Sequence, residues 1–322
     1  MLISEVVLAM KPKILFMGTP EFSVPTLKAL VDCGHTPLGV VTQPDRPKGR
    51  GKKLIPPPVK VHAEKAGIPV YQPERVRDRA FLDLFEMLAP DMVVLVAFGQ
   101  ILPPEIIQGP PLGCLNVHPS LLPKYRGAAP MNWTIIRGEK ETGVTIMMMD
   151  EGVDTGDILL QEVMAIAAED TYGDIHDRLS DMGARLLVDA VEQSVAGTMT
   201  KTLQNSADAT DAPRLGRDAG HIDWTQSAEE IVNLIRGLSP SPGAYSFLRE
   251  KKLKIFFAVA GKEKTSGEKE PGQVGKFVES GLQVTAGDDH VYLQDVQLEG
   301  KRRMFIDAFL RGYAIRPDDV LE

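Results

Sequence analysis

The chain has 322 residues, of which 43% are hydrophobic and 25% charged, a composition typical of a soluble globular protein with room for two domains. Its net charge of −8 excludes a generally basic surface, so any nucleic acid must bind through local patches. Neither of its two cysteines has metal-ligand spacing, and no apolar run approaches the ~20 residues of a membrane span. We therefore expect a cytoplasmic protein with no disulfide framework, metal or membrane partner.

The first ten residues are hydrophobic but do not fit a signal peptide. Met1–Met10 lacks a basic start, contains Glu5, and has no convincing cleavage site before the first predicted strand. We interpret residues 1–10 as an N-terminal extension, with Met10 as an alternative start of the natural chain.

A strand–helix–strand unit follows. Lys13–Met17 predicts a strand, apolar residues at helical spacing predict a helix that ends at Gly34, and Thr36–Thr42 predicts a second strand. This order predicts a right-handed parallel βαβ unit. Its turn, Gly18–Phe22, lacks the Gly-x-Gly-x-x-Gly pattern, which disfavours a nicotinamide dinucleotide.

The next segment is rich in proline, glycine and cations. Its composition predicts a loop over residues 43–58. Between Gln43 and Lys60 a single acid, Asp45, accompanies six cations: Arg46, Lys48, Arg50, Lys52, Lys53 and Lys60. Such runs are usually solvated surface, but cations on an extended arm are also well placed to contact RNA phosphates.

Two predicted strands end where a ligand is expected. Met92–Ala97 is short and uniformly apolar, as in a central parallel strand, and is followed by Phe98–Leu102. Cys114–Val117 is a second apolar strand, which leads into a loop rich in proline and glycine. Because ligands of open α/β sheets bind at the carboxyl ends of the strands, we place the site there.

The second of these strands carries candidate catalytic groups. Asn116 and His118 are two residues apart, so an amide and an imidazole point the same way, an arrangement suited to polarising and protonating a carbonyl. Downstream, Asp154 lies in a turn marked by Gly152 and Gly156, from which its carboxylate can reach the histidine and fix its tautomer. A lone histidine is more often structural, but the nearby Asn116 and Asp154 favour a catalytic role for His118.

The rest of the chain predicts a hairpin, a helix, a linker and a β-domain. Val144–Met148 and Ile158–Ile166 predict the antiparallel hairpin, and a capping box at Thr171 begins the helix. Periodicity fails over residues 198–220, which predicts a domain linker between an α/β domain over 11–197 and a C-terminal domain over 221–322. After a helix capped by Ser227, the C-terminal domain has short β-like segments that predict a small barrel, near 244–248, 253–259, 272–278, 282–285, 290–295 and 303–306.

Several of these stretches resemble the signatures of the folate-dependent formyltransferases. The similar motifs are Asn116–Pro123, Tyr125–Pro130 and Asp150–Ile158. Phe16–Phe22 and Thr42–Lys53 narrow the resemblance to members that formylate methionyl-tRNA. The resemblance implies a Rossmann-like, mostly parallel sheet domain followed by a smaller open β-barrel of OB type, which contacts tRNA.

The resemblance also implies an activity and a set of roles. The formyl group of 10-formyltetrahydrofolate, a co-substrate, would pass to the α-amino group of methionyl initiator tRNA, catalysed by Asn116, His118 and Asp154. The expected folate contacts are Ser120, Leu121, Leu122 and Pro123, which form an apolar wall for a flat pteridine ring. Phe98, which follows the neighbouring predicted strand, is expected to complete this ligand wall. The expected tRNA contacts are Arg46, Arg50, Lys52 and Lys53. Further phosphate contacts are expected in the second domain from Lys251, Lys252, Lys254, Lys301, Arg302 and Arg303. We expect a monomer.

Two other functions compete with this interpretation. The first is the same chemistry on another amine, such as an amino-sugar nucleotide, or on water, for which the long basic arm would have no use. The second is a non-catalytic RNA-binding protein that has inherited the fold, against which the intact Asn116, His118 and Asp154 set argues.

Overall fold

The computed structural model describes residues 11–48, 53–261, 270–316 and 319–322. The chain forms two compact units. The first contains the described residues up to Gly127, together with Gly143–Met164 and Asp177–Asp211, and the second contains Ala128–Thr142, Ala165–His176 and the described residues from Ala212 onward. Two short segments of the predicted α/β domain therefore belong to the second unit. No helix among the described residues is long and apolar enough to cross a membrane.

The first unit is built on a mostly parallel sheet. The strands of this part of the chain are β1 (Ile14–Gly18), β2 (Gly39–Val41), β3 (Arg46–Lys48), β4 (Lys53–Ile55), β5 (Val70–Tyr71), β6 (Met92–Val96), β7 (Cys114–His118), β8 (Glu141–Met148) and β9 (Ile158–Ala165). Seven of them form one sheet in the order β5-β2-β1-β6-β7-β8-β9. Neighbours from β5 to β7 run parallel, whereas β8 runs antiparallel to β7. This confirms the predicted Rossmann-like fold class.

The helices of this part of the chain mostly alternate with its strands in sequence. They are α1 (Val24–Asp32), α2 (Pro58–Lys65), α3 (Arg79–Leu88), α4 (Pro104–Gln108), α5 (Pro130–Ile136) and α6 (Tyr172–Ala196). One core cluster joins β1, β6 and β7 to Phe81 and Phe85 of α3 and to Ile106 of α4. On α6, a Cβ at Gly183 would lie 2.7 Å from Cγ1 of Val117, so the helix backbone approaches β7 closely. The strand that carries the candidate catalytic groups is thus held by its neighbours in the sheet and by α6.

The prediction that residues 43–58 form only a loop is wrong. Strands β3 and β4 form an antiparallel ribbon in which Arg46 pairs with Ile55, Pro47 with Leu54, and Lys48 with Lys53. Proline, lysine and glycine are poor strand formers, so composition alone gave no strand signal there. Residues 49–52, which separate β3 and β4 in sequence, lie outside the described residues.

The second unit contains an antiparallel sheet. Its strands are β10 (Ala244–Leu248), β11 (Lys251–Ala260), β12 (Val274–Val278), β13 (Gly281–Thr285), β14 (His290–Leu298) and β15 (Met304–Phe305), and its further helices are α7 (Ala228–Leu238) and α8 (Ile306–Gly312). The strand order is β10-β11-β14-β13-β12, with β15 paired to β14. Leu321 bridges to Leu248 and Val320 bridges to Gln273, so the last residues join the two ends of the sheet. The small barrel expected from the short β-segments is confirmed; α8 was not predicted.

The second unit also incorporates α5 and residues 165–171. The Asn132 amide of α5 donates to the Gly237 carbonyl of α7 at 2.7 Å. The buried guanidinium of Arg236 donates to the carbonyls of Ala167 and Asp170 at 3.0 and 2.9 Å, and burial lowers the pKa of that guanidinium. These bonds satisfy backbone groups from segments that are distant in sequence.

An ion pair fixes the chain beside the barrel. Nε and Nη2 of Arg249 donate to Oδ1 and Oδ2 of Asp319 at 2.7 and 2.5 Å, and the Arg316 backbone N–H donates to the same carboxylate at 2.7 Å. The hydrogen bonds from Arg249, as the largest cause, lower the pKa of the Asp319 carboxyl. A carboxyl with a lowered folded-state pKa stabilises the fold above its unfolded value, about 3.9, and this contribution is lost as the pH falls through the folded-state pKa.

We expect Asp319→Asn to lower the free energy of unfolding at pH 7 by about 1–3 kcal/mol, because charge-assisted hydrogen bonds are lost. The difference from wild type should shrink at pH 3, which lies below the unfolded-state pKa of about 3.9, so that protons already favour the unfolded chain. Urea unfolding at the two pH values measures it. Asp307→Asn is the matched control, since the Asp307–Arg311 pair is exposed and should contribute little. An equal loss in both variants, or a difference independent of pH, would contradict the expectation.

Candidate active site

The candidate site begins at the carboxyl end of β7, as predicted. Asn116 and His118 are only 7% and 4% exposed, and they project from the same face of the strand. Asn116 pairs with Leu95 on β6 and with Met147 on β8, so both neighbouring strands fix its backbone. The two polar side chains therefore occupy defined positions in a largely apolar setting.

The imidazole of His118 lies between two oxygen atoms. Its Nε2 is 3.0 Å from the backbone carbonyl oxygen of Tyr125, and its Nδ1 is 3.6 Å from Oδ1 of Asp154. Because a carbonyl oxygen only accepts, Nε2 must carry a proton. Nδ1 faces a carboxylate, so the doubly protonated ring is complementary to both oxygens. Nδ1 is the ring nitrogen left to act on a ligand, because its contact with Asp154 is longer than a hydrogen bond.

Asp154 reaches the histidine from the turn between β8 and β9. Its Oδ2 accepts a hydrogen bond of 2.8 Å from the Gly127 backbone N–H, and its backbone has the left-handed φ of +53°. A Cβ at Gly156 would overlap the carbonyl oxygen of Met148, so only glycine fits where the turn returns to the sheet. The turn therefore presents the carboxylate in one orientation.

The Asn116 side chain makes no hydrogen bond with any other residue that the structure describes. An amide that meets a ligand oxygen in such a largely apolar setting forms a stronger hydrogen bond than it does in water. Asn116 is thus free to donate to a bound carbonyl or oxyanion beside His118.

The loop 120–123 is anchored by β8. The buried hydroxyl of Thr145 donates to the Ser120 carbonyl at 2.7 Å and accepts from the Leu122 N–H at 3.2 Å. The Gln161 amide of β9 donates to Thr145 Oγ1 at 2.8 Å and to the Leu122 carbonyl at 3.0 Å. Sequence reasoning missed both anchors; the available signal was a threonine between the buried apolar residues Val144 and Ile146.

The side chains expected to form the ligand wall differ in exposure. Ser120 and Leu122 are buried, whereas Leu121 and Pro123 are half-buried. The Phe98 ring is 2% exposed and packs in the core of the sheet. Leu121, Pro123 and the loop backbone are thus the parts of this wall that a ligand can reach.

The cations of the basic segment are not equivalent. Arg46 and Lys53 are exposed on the β3–β4 ribbon, and Arg50 and Lys52 lie outside the described residues. The Lys60 ammonium donates to Asp45 at 2.9 Å and to Gln72 at 2.8 Å. Hydrogen bonds from Gln72 first, and then from Lys60, lower the pKa of the Asp45 carboxyl. Lys60 is therefore paired at the base of the ribbon, whereas Arg46 and Lys53 present their charges to solvent.

Two cations of the barrel are also engaged locally. The Lys252 ammonium lies 3.7 Å from the centroid of the Tyr245 ring, and Arg303 donates twice to Oδ2 of Asp295, at 2.8 and 2.6 Å. Because Lys252 and Arg303 already have these partners, each is less available to bind a phosphate.

No cluster of histidine, cysteine and acidic side chains that could hold a metal occurs among residues 11–48, 53–261, 270–316 and 319–322. Burial raises the pKa of the Cys114 thiol, at the start of β7, to about 12, so a thiolate nucleophile there is unfavourable. The candidate groups of the site are the Asn116 amide, the His118 imidazole and the Asp154 carboxylate.

Comparison with known proteins identifies close relatives. Residues 10–191 match the family model "Formyl transferase", and residues 214–314 match "Formyl transferase, C-terminal domain". A methionyl-tRNA formyltransferase of Syntrophus aciditrophicus (strain SB) is 54% identical over 311 residues, 97% of this chain and 99% of the relative. One of Geotalea uraniireducens (strain Rf4) is 48% identical over 310 residues, 96% and 97% of the two chains.

A solved structure shares the fold at lower identity. WlaRD, a sugar 3N-formyl transferase crystallised in the presence of dTDP and 5-N-formyl-THF, aligns with a TM-score of 0.66 and 19% identity, covering 91% of this chain and 99% of that one. At this identity the likeness concerns the fold alone.

We expect Thr145→Val to lower the free energy of unfolding by about 1–3 kcal/mol, because it leaves the Leu122 N–H and the Ser120 carbonyl without their buried partner. Urea unfolding measures the change. Thr42→Val is the control: its buried hydroxyl has no partner among the described residues, so the same substitution should be neutral or stabilising. Equal losses at both positions would show that the Thr145 hydroxyl does not anchor the loop.

Proposed function

The chain belongs to the formyl transferase family, and from this premise we propose that it transfers the formyl group of 10-formyltetrahydrofolate to the α-amino group of methionyl initiator tRNA. The observation that carries the proposal is the contact of 3.6 Å between His118 Nδ1 and Asp154, beside the Asn116 amide, which has no partner among the described residues. The acceptor is proposed because full-length relatives about half identical to this chain carry the name methionyl-tRNA formyltransferase.

The donor is proposed to bind against the loop that follows β7. Leu121 and Pro123 offer half-buried apolar surface for a flat pterin ring, and the neighbouring backbone offers hydrogen-bonding groups for its edge. The loop begins two residues after His118, which brings a donor bound there close to the imidazole and the Asn116 amide. The fold neighbour WlaRD, crystallised with 5-N-formyl-THF, is consistent with a folate donor.

The reaction develops negative charge that the site is built to receive. A neutral amine attacks the formyl carbon, a C–N bond forms, and the carbonyl oxygen becomes an oxyanion. The Asn116 amide and His118 Nδ1–H are the proposed donors to that oxygen. Preorganised donors of this kind are each worth about 3 kcal/mol of the activation barrier. The bond from Nε2 to Tyr125 keeps the ring from turning Nδ1 away.

Collapse of the tetrahedral intermediate breaks the bond to N10 of the folate. One proton leaves the attacking nitrogen and one joins N10, so the protein finishes in its starting protonation state. The Asp154 carboxylate, whose Oδ1 lies 3.6 Å from His118 Nδ1, is placed to hold that proton between the two steps, because a carboxylate oxygen accepts a proton and the neighbouring Nδ1–H can pass one on.

The basic ribbon is proposed to contact the acceptor arm of the tRNA. Arg46 and Lys53 are exposed on it, and Arg50 and Lys52 lie between them in sequence. This local concentration of cations gives an acidic protein a surface complementary to phosphates.

Single-turnover formylation with 10-formyltetrahydrofolate tests the function. Charged initiator Met-tRNA is compared with uncharged tRNA and with a 4-amino-sugar nucleotide as acceptors. We expect rapid transfer to Met-tRNA alone. Transfer to the sugar nucleotide, or hydrolysis without acceptor preference, would overturn the proposed acceptor, and absence of any folate turnover would overturn the proposed chemistry.

We expect His118→Ala and Asp154→Asn each to lower kcat by at least about 100-fold, because each removes a group that stabilises or exchanges charge in the transition state. His62→Ala, on α2, serves as the control and should keep wild-type kcat. Thermal unfolding verifies that each variant is folded. A folded His118→Ala protein with near-normal kcat would remove the histidine from the mechanism.

We expect Arg50→Ala to lower kcat/KM for Met-tRNA and to reduce the slope of log(kcat/KM) against log[salt] by about 1, the value for one lost phosphate contact. Arg46→Ala should act in the same direction. Lys65→Ala, an exposed cation on α2, is the control and should leave the slope unchanged. An unchanged kcat/KM in both arginine variants would exclude the ribbon from tRNA binding.

A further inference from the structure

We propose that Gln204 is a positioning residue for the catalytic pair, supplied by a segment whose sequence reads as a linker. The inference rests on the proposed function, since it concerns how Asp154 and His118 are held for that reaction. Gln204 lies within the predicted linker over residues 198–220, a stretch with neither periodicity nor apolar character. In the structure, residues up to Asp211 belong to the first unit.

The segment is bonded to the site at both of its ends. Thr202 and Ile158 exchange backbone hydrogen bonds of 2.8 and 2.9 Å, just beyond the catalytic turn. Farther along, the Thr210 carbonyl accepts from the Arg126 N–H at 2.8 Å, and the Thr210 hydroxyl accepts from the Tyr125 N–H at 2.9 Å. Residues 202–210 thus run from the β9 end of the turn to the loop that binds the His118 ring.

Gln204 connects these two anchored regions through its side chain. Its Nε2 donates to the carbonyl oxygens of Asp154 and Gly156 at 2.9 and 2.7 Å. Its Oε1 accepts from Nε and Nη2 of Arg126 at 3.1 and 2.7 Å. Four hydrogen bonds therefore converge on one half-buried amide.

The chemistry of these partners requires an amide. The Arg126 guanidinium only donates and the two carbonyls only accept, so the bridging group needs an acceptor at one atom and donors at the other. A glutamate would keep the contact with Arg126 but would set a carboxylate oxygen against two carbonyl oxygens.

The backbone groups that hold His118 and Asp154 belong to the residues on either side of Arg126, one of the partners of Gln204. Arg126 is flanked by Tyr125, whose carbonyl binds His118 Nε2, and by Gly127, whose N–H binds Asp154 Oδ2. The other arm of Gln204 holds the backbone of Asp154 itself, in its left-handed conformation. Loss of the amide would therefore loosen the distance and angle between carboxylate and imidazole while leaving both groups present.

The test compares Gln204→Glu and Gln204→Ala with the wild type in single-turnover and steady-state formylation of Met-tRNA. Glutamate keeps the side-chain volume and the Arg126 contact, but it replaces the two donors with a carboxylate oxygen that faces the two carbonyl oxygens. Leu203→Ala is the matched control, because the adjacent Leu203 is 85% exposed. We expect kcat to fall by about 10- to 100-fold in both Gln204 variants, with KM for tRNA and folate within about twofold of wild type. Leu203→Ala should behave as wild type.

The Asp154→Asn background separates positioning from a merely structural role. If Gln204 acts by aiming the carboxylate, adding Gln204→Glu to Asp154→Asn should cause little further loss of kcat, whereas independent effects would multiply. Multiplicative losses, raised KM values with kcat retained, or wild-type kcat in Gln204→Glu would each overturn the inference. Wild-type protein is assayed alongside: if it fails to formylate Met-tRNA, the proposed function is at fault, whereas wild-type activity with unaffected Gln204 variants rejects the positioning role alone.

Discussion

The candidate site depends on one hydrogen bond, from Nε2 of His118 to the carbonyl oxygen of Tyr125. This bond closes the loop that leaves β7 onto the histidine at the end of the same strand. It occupies Nε2 with a carbonyl oxygen, which can only accept a hydrogen bond, so Nδ1 is left facing Asp154. If the loop did not return at this point, a histidine at the end of a strand could adopt several rotamers, and the carboxylate would have no fixed partner.

The surrounding hydrogen bonds maintain that return from two directions. Thr145 holds the Ser120 and Leu122 backbone from β8, and Thr210 holds the backbone of Tyr125 itself. Because these groups are partly or fully buried, each would be costly without a partner. Beside these paired groups, the Asn116 amide has no hydrogen-bond partner among the described residues, so it is available to a ligand at the end of the strand.

The parts of the site that follow from local rules could be predicted from the sequence. Strand periodicity puts Asn116 and His118 on one face, and two glycines mark the turn that brings Asp154 to the imidazole. Phe98 was assigned to the ligand wall from its place at the sheet edge, but an aromatic ring after a buried strand can also turn into the core, as it does here. Gln204 carries no local signal, because its partners lie 48 to 78 residues away and polar composition is equally typical of a true linker.

Hydrogen bonds fix the base of the basic ribbon to the edge of the sheet where the candidate site lies. The Gln72 amide donates to the Gln43 carbonyl at 2.9 Å, and the Gln43 amide donates to the Phe98 carbonyl at 3.2 Å. Phe98 lies two residues after the end of β6, the parallel neighbour of the strand that carries His118. The chain leaving Gln43 toward the arm cations therefore starts from a point fixed by the sheet rather than by the ribbon. Lys60 contributes to this base through its ion pair with Asp45. A count of the cations in the sequence therefore overstates how many can bind a phosphate.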